Sequence, residues 1–229
     1  LRLARASRAL LDLRTFRTPT FAVAIVMIAI SMLALFGSLI ILPIYMQSVL
    51  GLTTLSTGLL LLPGGVVMGV LSPFVGRLYD RIGPTPLLVT GSVLVSLSLW
   101  LMRMLLNEGT PAYVIPIVHV VLSVGLAFTF TPLFSAALGS LKPDLYSHGS
   151  AILNTVQQVA AGAGTALFVT LLATGAAAQL KLGATEVSAT ASGVKTAFLA
   201  GAIVSLFAIA AGFFVRKPVG APAAPAAGH

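Results

Sequence analysis

Cysteine is absent from the sequence, which excludes disulfides and thiolate metal ligands and leaves the redox compartment open. Charge is nearly as scarce. Only 8% of the 229 residues are Asp, Glu, Lys or Arg, against about 25% in a soluble domain that must present hydrated groups to water. A chain this poor in charge cannot cover a water-facing surface. Its outside must meet a solvent as apolar as its inside, and the lipid bilayer is that solvent. The acidic residues are Asp12, Asp80, Glu108, Asp144 and Glu186, and none falls inside a long apolar run. The sequence also lacks a hydrolase constellation, a phosphate-binding glycine loop and a cluster of metal ligands, so it does not read as an enzyme and calls for no cofactor.

Hydrophobic residues make up 58% of the chain, and mean hydropathy is +1.06. They are gathered into six runs, at about 20–46, 57–75, 87–106, 113–138, 151–175 and 194–215. Each is near the roughly 20 residues that an α-helix needs to cross about 30 Å of hydrocarbon. The stretches between them, 47–56, 76–86, 107–112, 139–150 and 176–193, hold the Gly, Pro, Asn and Asp expected of breaks. The predicted organisation is a basic amphipathic segment over 1–18, a six-helix transmembrane bundle over 19–216, and a disordered Pro-, Ala- and Gly-rich tail over 217–229. The fold class is therefore all-α and integral to the membrane.

Net charge is +8 and the isoelectric point about 10.7, a balance that raises nucleic-acid binding in a soluble protein. Here the basic residues lie outside the apolar runs, where membrane topology accounts for them, and no nucleic-acid partner is expected. With the N-terminus in the cytoplasm, one face carries Arg2, Arg5, Arg8, Arg14, Arg17, Arg77, Arg81, Lys142, Arg216 and Lys217, and the other only Arg103, Lys181 and Lys195. Ten against three puts both termini inside, and a multi-pass protein of the plasma membrane is expected. Tyr45, Tyr79, Trp100, Tyr113 and Tyr146 fall near predicted helix ends, where amphipathic rings favour the headgroup zone.

Three helices carry polar or helix-breaking features. In the fifth, Ser150, Asn154, Gln157, Gln158, Ala161 and Thr165 recur at helical spacing and share one face. An unpaired amide in hydrocarbon costs several kcal/mol, so this face is predicted to look into the bundle or a wet cavity, or to bind a neighbouring helix by hydrogen bonds. The fourth carries His119 with Ser123 one turn later, and this titratable imidazole is open to proton relay, substrate contact or a structural role. The second is punctuated by Pro63, Gly64, Gly65, Gly69 and Pro73. Pro63 predicts a kink there, and Gly65 with Gly69 forms a GxxxG face suited to close helix packing.

The stretch 42–91 holds an LPIYMQ segment ending the first helix, a GLLLLP run in the second, and GRLYDRIG, which contains Gly76, Arg77, Asp80, Arg81 and Gly83. In this order the motifs resemble the fourteen-helix drug:proton antiporters of the major facilitator superfamily, the EmrB/QacA type. SHGSAILNTVQQVAAGAGTAL is similar to that family's penultimate helix, and the likeness spans roughly 11–215. It implies that the six helices form the C-terminal domain of the superfamily fold, with the first, second, fourth and fifth lining a central cavity and the third and sixth packed outside. It implies an efflux antiporter that works by alternating access. Its energy source would be the proton gradient, and its partner an N-terminal six-helix half. Its substrate would be a small amphipathic or cationic drug, met by Asn154, Gln157, Gln158, His119 and Ser123. Gly76, Arg77, Asp80, Arg81 and Gly83 would form a gating loop on the cytoplasmic side. The alternatives are a half-transporter that pairs with a separate half, and a half-length membrane protein that transports nothing.

Overall fold

The computed structural model describes residues 12–215. The N-terminal part of the basic segment, with Arg2, Arg5 and Arg8, lies outside the described residues, as do Arg216, Lys217 and the tail 217–229. Six helices follow in order: α1 (Pro19–Ser48), α2 (Thr54–Ile82), α3 (Pro84–Leu105), α4 (Val114–Gly139), α5 (Tyr146–Lys181) and α6 (Glu186–Gly212). All six are long and apolar enough to cross a membrane. Short 3₁₀ turns at Leu13–Arg17 and Pro143–Leu145 precede α1 and α5. In the first, the Asp12 carboxylate accepts the Arg14 backbone N–H at 2.9 Å and pairs with the Arg14 guanidinium at 2.6 Å. That guanidinium holds the Asp12 carboxyl below the usual carboxylate range.

Helices run past the expected breaks in two places. The stretch 76–86, expected as a loop, stays helical through Ile82, and α3 begins at Pro84. Only Gly83 separates the two, with φ 81° and ψ 179°, a region essentially restricted to glycine. Pro84 then opens α3 at its first position, where a missing N–H costs nothing. Likewise 176–193 is a loop only between Lys181 and Glu186. Its Ala-rich first part extends α5 to 36 residues, or about 54 Å at 1.5 Å per residue, well beyond the hydrocarbon. Thr185 starts α6 by accepting the Ser188 N–H on its side chain. Pro43, Pro63, Pro73 and Pro132 all stay within continuous helices.

Chain order does not set the packing. Helix α2 lies mainly on α4, α3 on α4 and α6, and α5 on α1 and α6, while α1 also reaches α4 and α6. Helices α1 and α4 thus form the centre. In their most apolar windows 56% of each is buried, against 11% for α2 and 17% for α5. Between α1, α5 and α6 the fully buried Phe168 ring occupies the space a side chain would need at both Gly37 and Gly201. It meets Phe198 edge-on at 6.1 Å between centroids. At one end of the bundle the Tyr45 hydroxyl donates to the Asn107 carbonyl at 2.7 Å, tying α1 to the α3–α4 connection. At the other, Thr85 Oγ1 donates to the Val215 carbonyl at 2.6 Å, tying the start of α3 to the chain beyond α6.

Candidate functional site

The polar stripe of α5 is where the bundle is open. Asn154 and Gln158 are exposed, and Ser150, Gln157 and Thr165 are half-buried. Gln158, Ala161 and Thr165 line a slot of about 560 Å³ with Gly162, Ala166, Val169, Thr170 and, from α1, Phe36. Its walls are mainly apolar and its few polar groups are neutral amide and hydroxyl. Such a surface takes an amphipathic molecule without demanding a formal charge. Gln157 turns partly inward, and its Nε2 donates to the Leu153 carbonyl one turn back at 3.3 Å. Of the amides expected at the site on α5, Gln158 therefore lines the slot, and Gln157 and Asn154 do not. Phe36 carries no signal in the sequence, because α1 is apolar all round and shows no preferred face.

His119 and Ser123 do not join this slot. They are 5% and 4% exposed and lie where α4 crosses α2, under Gly64. A Cβ at Gly64 would stand 2.7 Å from both His119 Nε2 and Ser123 Oγ. The two side chains reach that close because no side chain intervenes. Ser123 Oγ donates to the His119 carbonyl at 2.9 Å, and His119 Nδ1 is buried with no hydrogen-bond partner among the described residues. Helix α2 covers both residues, and the slot, walled by α1 and α5, does not include them.

Among the described residues the GxxxG pair seats no neighbouring helix. Gly65 and Gly69 are exposed, with nothing within 4 Å of where a Cβ would be. The glycine that seats a neighbouring helix is Gly64, one position and about 100° around the helix. Pro63 is exposed as well. The expected gating residues stand on the last turns of α2 and not on a loop. Arg77, Asp80 and Arg81 are exposed there, with the Arg77 guanidinium 5.9 Å from the Phe74 ring centre. Gly76 is half-buried within the helix, and Gly83 ends it. Asp80 thus sits at the C-terminal end of α2, where the helix dipole disfavours a carboxylate. Among the described residues, no three His, Asp or Glu side chains gather into a group able to hold a metal.

Comparison with known proteins follows the same line. The family described as the Major Facilitator Superfamily matches residues 2–165. The chain is 35% identical over 213 residues to a lincomycin resistance protein of Listeria monocytogenes, which covers 91% of the chain and 45% of that relative. It is 33% identical over 214 residues to a lincomycin resistance protein of Bacillus subtilis, covering 91% of the chain and 44% of the relative. A multidrug resistance protein B homolog of Mycobacterium tuberculosis is 29% identical over 169 residues, which is 73% of the chain and 31% of that relative. The chain thus spans less than half the length of the curated relatives it matches.

Proposed function

This chain belongs to the major facilitator superfamily, and we propose that it forms the C-terminal six-helix domain of a proton-driven exporter of amphipathic drugs. The observation that carries the reading is the outward face of α5. Asn154, Gln158, Gly162, Thr170, Ala173 and Thr174 are exposed there, on the helix that should cross the bilayer with only 17% of its apolar window buried. Amides and small residues are what transmembrane helices turn toward protein or water, not toward acyl chains. A second six-helix half facing α5 and α2 would enclose the slot and turn it into a cavity near the midplane, the arrangement on which alternating access depends. The names of the resistance relatives support drug efflux.

On this reading the drug occupies the α1–α5 slot, with Gln158 and Gln157 supplying hydrogen bonds that orient it and Phe36 supplying an apolar wall. Asp80 and Arg81, at the end of α2, tune the closure of the side that carries the termini, which is cytoplasmic. Proton entry drives the return step. No carboxylate lies within the expected spans, so the carboxylate expected to couple protons belongs to the other half.

The test uses the complete transporter. Gln158→Leu, with Gln157→Leu beside it, is expressed in a drug-sensitive host, and membrane abundance is matched by immunoblot. The expected result is a changed ranking of resistance across several drugs, with losses of about 5- to 30-fold for those that need the amide, the worth of one to two hydrogen bonds to a desolvated group. An unchanged ranking for both variants at equal abundance would remove the α5 face from the substrate path.

A further inference from the structure

Beside the Gln158 slot, towards the starts of α1 and α5, the same open face holds a second hollow of about 370 Å³. Ala29, Ile30 and Leu33 of α1 and Val156, Val159 and Ala163 of α5 form most of its wall. The polar side chain there is Thr155, whose hydroxyl donates to the Ala151 carbonyl at 2.9 Å and so has no proton left for a ligand. Val159 is 66% exposed, on a helix face whose amides mark it as turned towards water or protein.

The hollow and the slot adjoin. Along α1, Ala29, Leu33 and Phe36 follow at four and three residues and share one stripe. The first two line the hollow and the third lines the slot, with about 4.5 Å of axis between Leu33 and Phe36. Along α5 the join runs past Gly162 in the slot and Ala163 in the hollow, and a Cβ at Gly162 would meet nothing within 4 Å. There α5 presents a hydrogen and a methyl group, so one molecule can lie in both spaces. Together their α5 residues run from Thr155 to Thr170, about 22 Å of axis.

Each space is in the size range of small-molecule pockets, about 300–1,000 Å³, but their chemistry differs. The slot offers amide and hydroxyl, and the hollow offers only apolar wall. We propose, resting on the export reading, that the hollow is the subsite that selects substrates by an apolar limb. The hydrogen-bonding head lies against Gln158, and the limb runs past Gly162 into the space between Ala163, Val159 and Leu33. The substrate class is thus an elongated amphiphile, polar at one end and carrying an alkyl or aryl arm at the other. Ala163 sets the room for the arm, and Val159 sets the polarity of its wall. Moving the arm out of water favours binding by about 4-fold per methylene.

Competition between two N-alkylguanidinium ions, of six and twelve carbons, tests this in everted membrane vesicles that contain the complete transporter. Their heads are identical and can donate hydrogen bonds to the Gln158 amide oxygen, so the ratio of their kcat/KM values reads the limb. That ratio does not depend on how much transporter a variant yields, and partition into the bilayer cancels between variants. Ala163→Phe fills the hollow from an exposed position, and the twelve-to-six ratio should fall about 15-fold, the worth of two methylenes. Val159→Asn keeps the room but makes the wall polar, and should move the ratio the same way. Gln158→Leu acts on the shared head and should lower uptake of both ions while leaving their ratio in place. A ratio unmoved by both Ala163→Phe and Val159→Asn would overturn the subsite, assign the hollow to side chains of the facing half, and leave the export reading standing. Uptake of lincomycin with neither alkylguanidinium accepted would do the same to the subsite. Absence of proton-dependent uptake of all three compounds by the unmodified transporter would remove the export reading, and the subsite with it.

Discussion

Adjacent glycines of α2 should respond to the same substitution with opposite signs. Gly64 and Gly65 both lie inside the helix, and replacing a helix-interior glycine by alanine is worth about 0.5–1 kcal/mol through backbone entropy. That gain is common to both and cancels in the comparison. The surroundings do not cancel. At Gly65 the new methyl enters open space. At Gly64 it stands 2.7 Å from both His119 Nε2 and Ser123 Oγ, roughly 1 Å inside ordinary van der Waals contact. His119 is only 5% exposed, so its ring has little free space into which to move. Overpacking of this kind costs about 1–3 kcal/mol. Gly65→Ala should therefore stabilise the bundle by up to about 1 kcal/mol, and Gly64→Ala should lie about 1–3 kcal/mol below it, a 5- to 150-fold difference in the unfolding equilibrium. Equilibrium SDS titration in mixed micelles, followed by helical circular dichroism, measures both. His119→Ala removes the ring, so the Gly64→Ala penalty should shrink in that background by a coupling energy of about 0.5–3 kcal/mol. Equal stability of the two alanine variants would refute the reasoning, as would a penalty undiminished without His119.

Two further outcomes follow from the geometry. Gly83→Ala places a Cβ on a residue at φ 81° and ψ 179°, so the same titration should show a loss of about 1–3 kcal/mol; a loss under about 0.5 kcal/mol would mean that the α2–α3 junction has another conformation. Asp12, whose carboxyl Arg14 holds below the ordinary aspartate value of 3.8, contributes stability that is fully present above that unfolded value and is lost as pH falls through the lower folded one. Exchange protection of the Arg14 amide, corrected for intrinsic rate, should therefore hold at pH 5 and fade below about pH 3.8, and Asp12→Asn should remove that dependence. Protection constant down to about pH 2 would show that the carboxylate does not hold the turn.

The six spans were legible because hydropathy responds to the bilayer itself: a stretch such as 20–46 has no other stable environment. The same property made the helix ends illegible. Hydropathy reports where hydrocarbon stops, and helices continue past it wherever nothing breaks them. In 177–181, AAQLK, every residue except the final Lys181 is neutral, and all are good helix formers, so α5 runs on into water. In 76–82 the hydropathy falls at Arg77, Asp80 and Arg81, yet no residue there forbids the helix until Gly83. Helix pairing was beyond reach for another reason. That α2 lies on α4, and only lightly on α1, depends on which small residues meet across the bundle. A single chain gives their spacing but not their partners. Gly65 and Gly69 do share a face, as the pattern says; what they face is set by α4, which chooses Gly64.

The amide stripe of α5 was legible because it breaks the apolar background at helical period, whereas Phe36 opposite it does not. That contrast bears on why α2 and α5, the two least buried helices, are not equivalent. Along α2 the exposed stripe is Leu55, Leu59, Leu62, Val66, Val70 and Phe74, and acyl chains accept such a stripe as readily as protein does, because apolar side chains gain nothing by leaving lipid for one another. Along α5 the exposed residues include Asn154, Gln158, Thr170 and Thr174. The Thr174 hydroxyl is satisfied within its own helix, 2.8 Å from the Thr170 carbonyl, but an amide has more donors and acceptors than one helix can absorb. Each buried amide group left without a partner costs about 1–3 kcal/mol in protein and more in hydrocarbon. The need for a polar neighbour, protein or water, therefore arises at Asn154 and Gln158. A bilayer alone can accommodate α2 as it stands; it cannot do the same for α5, and on the proposed reading the second half sits on the side of the bundle that holds the slot.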